Sequence, residues 1–291
     1  MRKSLIIFCL LVSICINLLS QTSENLNSAF PDTGYVLVDG GKLFYESAGK
    51  GTNIVLLHDG MVNNKIWDEQ FPPLSKTYRV VRYDRRGYGK SSDPETKFSN
   101  INDLNQLFIQ LKIDKAIIFG MSSGGRLAID FTLTYPEKVT GLVLVGAVVS
   151  GFGYTSHMNT RGGHFDPKKI TDPVKVNEYF IKDDPYEIYS ENTSAKEKVM
   201  KLLPFLARPN SVPTQPAVKV AVRSLSEIKV PALILVGEYD IPDVHAHAGV
   251  INAGIANSKR EIIPRSGHLI PIEQPALFNE AVTAFLNKQP R

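Results

Sequence analysis

From about Gly34 onward, short apolar segments alternate with segments whose apolar residues recur at helical spacing. The apolar segments are "GYVLVDG", "KLFYESAG", "NIVLLHD", "YRVVRYD", "KAIIFGMS", "GLVLVGAVV", "PALILVGE" and the weaker "KREIIPRSG". Nearly continuous apolar runs are typical of strands in a parallel sheet that is covered on both faces. Because helical segments separate these runs, the sequence predicts an α/β fold with an open, mostly parallel, doubly wound sheet.

The alternation stops between about residues 151 and 225. This stretch shows no clear strand and contains helix-like pieces such as "PVKVNEYFIK" and "SAKEKVMKLLPFLA". A loop of this length without secondary structure is uncommon in a compact domain. We therefore predict a helical cap over residues 151–225, inserted between two parts of the core, residues 34–150 and 226–291. Most aromatic side chains of the cap are expected to pack the cap itself, and a minority could line a pocket: Phe152, Tyr154, Phe165, Tyr179, Phe180, Tyr186 and Phe205.

The first 20 residues have a basic start followed by an apolar run from Leu5 to Leu19. This layout predicts a secretion signal, residues 1–20, followed by a linker, residues 21–33; the alternative is an uncleaved anchor. Both cysteines, Cys9 and Cys15, lie in this leader, so the mature chain would have no disulfide. We expect an exported protein, periplasmic or secreted, of the kind found in a bacterial envelope, without stable membrane association once the leader is removed.

Ser122 stands in "GMSSG", a G-x-S-x-G pattern between a predicted strand and a predicted helix. A serine on such a tight turn takes a strained backbone conformation, and small neighbours let strand and helix approach. Serine needs a base to act as a nucleophile, and the base needs a carboxylate to orient it. The pattern therefore predicts that Ser122 is a nucleophile.

The base and the acid are expected downstream of the serine, each after a strand. His268 follows the last predicted strand, in "RSGHLIPIEQP", and is the predicted base. Asp240 in "LILVGEYDIPD" is the preferred acid, with Glu238 and Asp243 as alternatives. Asp243 could instead cap the following helix.

Acyl transfer places negative charge on the substrate carbonyl oxygen, and N–H donors stabilise it. One predicted donor is the amide of Ser123, which follows the nucleophile. The second is expected in the loop after "IVLLH", from Gly60 or else Met61. We interpret His58 as a structural residue of that loop.

Together these segments resemble the α/β-hydrolase superfamily, over about residues 34 to 286. The resemblance rests on "VDGGKLFYESAGKGTNIVLLHDG", "VVRYDRRGYGKSS", "FGMSSGG", "VPALILVGEYD" and "SGHLIPIEQP", in the family's order. It implies a sheet of the α/β-hydrolase type, and a structural loop shaped by Asp84, Arg86, Gly87 and Gly89. The chain departs from the family with "HDG" where a His-Gly pair is more usual.

The resemblance implies a serine hydrolase, because Ser122 argues against the aspartate nucleophile of haloalkane dehalogenases and epoxide hydrolases. Similar serine members are esterases, enol-lactonases, hydrolases of carbon–carbon bonds, perhydrolases and prolyl aminopeptidases. Our first hypothesis is cleavage of a small or medium carboxylic ester or lactone. The alternatives are carbon–carbon bond cleavage, with Arg161, Arg208 or Arg223 near the serine, and a ligand-sensing protein with little hydrolysis.

No further partner or cofactor is indicated. The formal net charge is only +4 and no basic cluster is interleaved with aromatic residues, so nucleic acid is not an expected partner. His245 and His247 are two residues apart, which places them on different faces of a helix, so a metal site is not expected there. The expected partner is a small-molecule substrate.

Overall fold

The computed structural model describes residues 31–160, 172–202 and 214–289. Within them, eight strands form one sheet: β1 (Asp32–Val38), β2 (Gly41–Ala48), β3 (Asn53–Leu57), β4 (Arg79–Tyr83), β5 (Ala116–Met121), β6 (Val139–Val145), β7 (Ala232–Gly237) and β8 (Ser258–Ile263). Their order across the sheet is β1-β2-β4-β3-β5-β6-β7-β8. β2 pairs antiparallel with β1 and β4, and every other pairing is parallel. The predicted fold class is confirmed.

The helices of the described residues follow the strands in the predicted alternation. They are α1 (Phe71–Ser75), α2 (Asn100–Gln110), α3 (Ser123–Thr134), α4 (Ser156–Thr160), α5 (Pro173–Lys182), α6 (Thr193–Leu202), α7 (Ala221–Ser224), α8 (Pro242–Gly254), α9 (Ile270–Glu273) and α10 (Pro275–Leu286). Short 3₁₀ turns occupy Asn64–Trp67, Pro136–Lys138 and Leu225–Glu227. Parallel neighbours need such crossover connections, because the chain must return to the same end of the sheet.

Two hydrophobic clusters cover the two faces of the sheet. One contains Phe108 of α2 and Phe131 of α3, and the other contains Trp67 and Phe278 of α10. Successive residues of one strand belong to opposite clusters, because strand side chains alternate between faces. This burial on both faces is the reason that the strands read as continuous apolar runs.

Between β6 and β7 the described residues contain the helices α4 to α7. Ile181 of α5 and Val199 of α6 are fully buried in the same cluster as Phe278. The Phe152 and Tyr154 rings pack against His247 of α8, with centroids 4.9 and 5.1 Å away. These cap aromatics therefore pack the cap onto the core. The predicted secretion signal, together with Phe165 and Phe205, lies outside the described residues.

In the part of the chain that the structure describes, no helix combines the length and the apolar character needed to cross a membrane.

Candidate active site

Ser122 lies on a sharp turn between the end of β5 and the start of α3. Its backbone has φ 51° and ψ −115°, a region that non-glycine residues rarely adopt, and its N–H donates to the carbonyl of Val145 at 2.9 Å. The glycines of the motif allow the close approach. A Cβ at Gly120 would lie 2.5 Å from the Gly124 oxygen, and one at Gly124 would lie 2.4 Å from the His58 oxygen. The turn thus presents the serine at the carboxyl edge of the sheet.

His268 and Asp240 form a hydrogen-bonded pair at the same edge. The Nδ1 atom of His268 lies 2.8 Å from Oδ2 of Asp240, and both side chains are buried. The other carboxylate oxygen of Asp240 accepts the N–H of Ile241 at 2.7 Å. Asp240 therefore holds the imidazole with a proton on Nδ1, which leaves Nε2 free to exchange a proton with a substrate or a nucleophile.

The hydrogen-bonded pair packs closely against Gly146. A Cβ on Gly146 would lie 2.9 Å from both Cε1 and Nδ1 of His268 and 3.3 Å from Oδ2 of Asp240. Gly146 directly follows Val145, whose carbonyl accepts the Ser122 N–H. The imidazole of His268 and the carboxylate of Asp240 therefore lie against Gly146, and the preceding residue, Val145, is hydrogen-bonded to the predicted nucleophile Ser122.

Negative groups around His268 determine its protonation. Burial by itself would lower the pKa of His268, but the charge and hydrogen bond of Asp240, with the charges of Glu187 and Asp59, raise that pKa to about 9. The imidazolium form is thus stabilised. A stabilised imidazolium suits a group that must accept the proton of a hydroxyl.

The two alternative acids are engaged elsewhere. Glu238 accepts the N–H of Arg265 at 2.9 Å. Asp243 accepts the N–H and the hydroxyl of Thr155 at 2.6 and 2.7 Å, so it ties α8 to the chain entering the cap instead of capping α8. Of the three carboxylates considered from the sequence, the one hydrogen-bonded to His268 is Asp240.

Three backbone amides at this edge are available to a ligand. Ser123 is the first residue of α3, so its N–H has no acceptor within the helix. In the described part of the chain, the N–H groups of Gly60 and Met61 have no hydrogen-bond partner either. A Cβ on Gly60 would lie 3.3 Å from Oγ of Ser123, so the two segments are adjacent.

His58 is a structural residue of the loop that carries Gly60. Its Nε2 accepts the N–H of Arg85 at 2.9 Å, and its Nδ1 donates to the carbonyl of Asp59 at 2.7 Å. Complete burial, with the nearby Arg85 charge, holds the pKa of His58 well below its usual value. A neutral histidine with both nitrogens engaged does not serve as a second base.

The loop after β4 is structural, as the family resemblance implies. Asp84 accepts the N–H groups of Asn64 and Lys90 at 3.0 and 2.9 Å. The guanidinium of Arg86 makes a two-point contact with Asp103, at 2.9 and 2.8 Å. Gly87 and Gly89 have positive φ angles of 84° and 50°.

The cap segment Tyr186–Tyr189 is hydrogen-bonded to the loop of His268, a contact that the sequence did not indicate. The N–H of His268 donates to the carbonyls of Tyr186 and Glu187, at 3.0 and 2.9 Å. Buried Glu273 accepts the N–H of Gly267 at 3.0 Å and the N–H of Tyr189 at 2.6 Å. Burial raises the pKa of Glu273 to about 7, although these amides lower it. Glu273 lies five residues after His268 in "SGHLIPIEQP", but no local signal identifies its partners.

A cleft of about 260 Å³ lies beside Ser123. Its lining includes two arginines and several smaller polar side chains: Arg85, Asn100, Ser123, Arg126, Ser150 and Gln215. A larger cavity of about 770 Å³ lies at the opposite edge of the sheet, between the amino ends of the strands and α10. Ligands of open α/β sheets bind at the carboxyl ends of the strands. The cleft beside Ser123 is therefore the nearer of the two to the candidate site, although neither Ser122 nor His268 is among the residues that line it.

Of the three arginines proposed from the sequence, the structure describes Arg223 only. Arg223 is exposed in α7 and is not among the residues that line the cleft beside Ser123, and Arg161 and Arg208 lie outside the described residues. In the described ranges no group of three or more His, Cys, Asp or Glu side chains could hold a metal ion. His247 accepts the N–H of Val149, and His245 faces Arg260.

Comparison with known proteins agrees with this architecture. A family model described as alpha/beta hydrolase fold matches residues 53–275. The 2-hydroxy-6-oxo-6-(2'-aminophenyl)hexa-2,4-dienoic acid hydrolase of Metapseudomonas resinovorans is 27% identical over 287 residues, covering 94% of this chain and 97% of its own.

Solved structures are similar over a comparable length. An N-acyl homoserine lactone degrading enzyme superposes with a TM-score of 0.72 at 25% identity, covering 87% of this chain and all of its own. A meta-cleavage product hydrolase from Pseudomonas fluorescens IP01 superposes with a TM-score of 0.74 at 25% identity, covering 88% of this chain and 97% of its own.

Proposed function

Because the chain belongs to the alpha/beta hydrolase fold family, we propose that it is a serine hydrolase that cleaves a small or medium carboxylic ester or lactone. Ser122 is the nucleophile, His268 the general base and acid, and Asp240 the carboxylate that orients the imidazole. The observation that carries the proposal is the His268–Asp240 hydrogen bond of 2.8 Å, held against Gly146 beside the strained Ser122 turn.

In the first step, Nε2 of His268 takes the hydroxyl proton of Ser122 while the serine oxygen attacks the substrate carbonyl. The tetrahedral intermediate collapses when the imidazolium returns this proton to the leaving alcohol, which leaves an acyl-Ser122. Water then attacks the acyl group with the same base, and the acid is released as Ser122 recovers its proton.

The oxygen of the tetrahedral intermediate carries the developing negative charge. We assign its donors to the amides of Ser123 and Gly60, with Met61 as the alternative to Gly60. Each preorganised donor lowers the barrier by about 3 kcal/mol. The start of α3 adds its positive dipole end at the same place.

The proposal is tested with a p-nitrophenyl acyl ester and the purified protein. Ser122→Ala should lose at least about 1,000-fold in kcat, because the acyl-enzyme cannot form. Ser258→Ala is the matched control, since that hydroxyl bonds to Ile255 and Asn252 at the amino end of β8. A fluorophosphonate should label Ser122 in the wild type. Turnover that persists in Ser122→Ala, or absence of labelling, contradicts the proposal; absence of labelling favours the ligand-sensing alternative.

Carbon–carbon bond hydrolysis is the second candidate. Two observations favour it. The relative named as a dienoic acid hydrolase matches over 94% of this chain, and the residues that line the cleft beside Ser123 include Arg85 and Arg126, together with Asp130. A guanidinium suits the carboxylate of a diketone acid. Comparing kcat/KM for a 2-hydroxy-6-oxo-dienoic acid with that for an ester of similar size distinguishes the two candidates.

We further propose export, with the first 20 residues as the secretion signal. Cell fractionation followed by mass spectrometry of the mature amino terminus tests it. A mature chain that still begins at Met1 in the cytoplasmic fraction would exclude export.

A further inference from the structure

Three side chains, His58, Arg85 and Tyr88, surround the carbonyl groups of the loop that follows β3. We call this set the carbonyl brace. The Asp59 carbonyl accepts Nδ1 of His58 at 2.7 Å and also Nη2 of Arg85. The Gly60 carbonyl accepts the hydroxyl of Tyr88 at 3.1 Å. Two successive carbonyls therefore point toward the same cluster of donors.

The orientation of these carbonyls fixes the orientation of the amides. A trans peptide is planar, so the N–H of the next residue points opposite to the carbonyl. The described residues contain no cis peptide. The N–H groups of Gly60 and Met61 must consequently point away from the carbonyl brace. Successive amides on one side of the backbone form a concave site for an anion.

Arg85 connects this loop to the nucleophile turn. The same Nη2 that donates to the Asp59 carbonyl donates to Oγ of Ser123 at 2.9 Å. Both segments that supply oxyanion donors under the proposed function are thus held by one nitrogen. A planar guanidinium does this at fixed angles, which a flexible ammonium cannot.

The surroundings of Arg85 are unusual for a buried cation. Its exposed fraction is only 6%, and its guanidinium lies 5.0 Å from the Tyr88 ring centroid. Within the described residues it forms no ion pair with a carboxylate, and its Nε has no hydrogen-bond partner. Buried arginines are normally paired with carboxylates, as Arg82 and Arg86 are here. Arg85 instead directs its hydrogen bonds to a carbonyl and a hydroxyl beside the nucleophile.

We propose that Arg85, with Tyr88 and His58, is a positioning residue that orients the Gly60 and Met61 amides and locks their loop against Ser123. The inference rests on the proposed serine hydrolase function. It predicts that Arg85 contributes to the stability of the transition state while making no contact with the substrate carbonyl.

The test compares Arg85→Met, Tyr88→Phe and the control Arg82→Met. Arg82 is a buried arginine three residues earlier, in β4, and its partners Glu46 and Asp68 lie outside the site. For each variant we would measure kcat and KM on a p-nitrophenyl ester, Tm, and Ki for an aryl trifluoromethyl ketone, which forms a hemiketal oxyanion with a reactive serine.

Arg85→Met should lower kcat about 10- to 100-fold, which is somewhat less than the loss of an oxyanion donor itself. The Ki for the ketone should rise by a similar factor, and KM should change little. Tyr88→Phe should lower kcat about fivefold and raise the Ki for the ketone by about the same factor. Arg82→Met should lower Tm and leave kcat and Ki unchanged.

If the wild type does not bind the ketone at Ser122, the proposed function fails, and this inference fails with it. If the wild type binds the ketone but Arg85→Met keeps the same Ki and kcat and loses only Tm, as Arg82→Met does, the inference alone is overturned.

Discussion

The nucleophile side of the candidate site and its histidine side are assembled from different kinds of contacts. On the nucleophile side, Ser122 is placed by adjacent parallel strands and by glycines that let α3 approach β3. On the histidine side, the loop of His268 is bonded to cap residues about 80 positions earlier in the chain. The first arrangement is intrinsic to the core, whereas the second requires the cap to be in place.

The cap is therefore coupled to the position of His268 without contributing a side chain to the predicted triad. The carbonyls of Tyr186 and Glu187 accept the N–H of His268, and the Glu273 side chain accepts the N–H groups of both Tyr189 and Gly267. Changes in the cap should therefore alter the position of His268.

The nucleophile side is probed most strongly by Gly124→Ala. The new Cβ would lie 2.4 Å from the His58 oxygen and 2.6 Å from the Leu57 oxygen, so α3 must move away from β3. We expect kcat/KM to fall about 100-fold, because small displacements of reacting groups have effects of this size, with unfolding easier by about 1–3 kcal/mol. Steady-state kinetics and denaturant unfolding measure both.

The control for that substitution is Gly249→Ala in α8, where the nearest atom to a Cβ is 3.6 Å away. It should gain up to about 1 kcal/mol of stability from helix propensity and keep its activity. Full activity in Gly124→Ala would show that the close approach of α3 and β3 is not needed to place the serine.

The histidine side is tested by Glu273→Gln, which keeps the shape of the side chain and removes one acceptor oxygen. We expect kcat to fall about tenfold, through a looser contact between the loop of His268 and Tyr189, with about 1–3 kcal/mol lost from stability. Glu261→Gln, in β8 and paired with Lys259 at 2.7 Å, should have neither effect. An unchanged kcat with reduced stability would assign Glu273 a structural role only.

The smallest expected effect is on the pH profile. His268, the proposed general base, must be neutral in the free enzyme to accept a proton. The value of kcat/KM should therefore rise with pH and level off above the His268 pKa of about 9. Glu187→Gln removes one negative charge that favours the imidazolium, so the midpoint should move to lower pH. The control is Glu227→Gln, at an exposed residue paired with Lys219, which should not change the midpoint of the pH profile. If Glu187→Gln leaves the midpoint unchanged, the charge of this cap residue does not affect the pKa of His268.

The raised pKa of His268 also makes the stability of the folded protein depend on pH. Because the folded pKa of His268 lies above the ordinary value of 6.5, its charged form stabilises the folded protein fully below about pH 6.5. That contribution is lost as the pH rises through about 9. Thermal unfolding followed from pH 6 to 10 should show a decline that is reduced in His268→Ala.

The sequence alone determined the order of strands and helices along the chain, the fold class, and the identity of the serine as a candidate. These properties depend on local patterns: apolar runs, helical spacing, and a glycine-flanked serine between a strand and a helix. It also placed His268 and Asp240 after their strands, and the carboxyl ends of parallel strands meet at one edge of the sheet.

The residues that support those groups follow from the tertiary packing. The Arg85 contact with Ser123 joins residues 38 positions apart, and the Glu273 contact with Tyr189 joins residues 84 positions apart. The sequence preferred Asp240 and left Glu238 and Asp243 open; that Asp240 is the one of the three that contacts His268 likewise depended on the tertiary structure. Hydrogen bonds are short and directional, so whether two distant residues form one is set by ångström-scale packing that no local sequence pattern encodes.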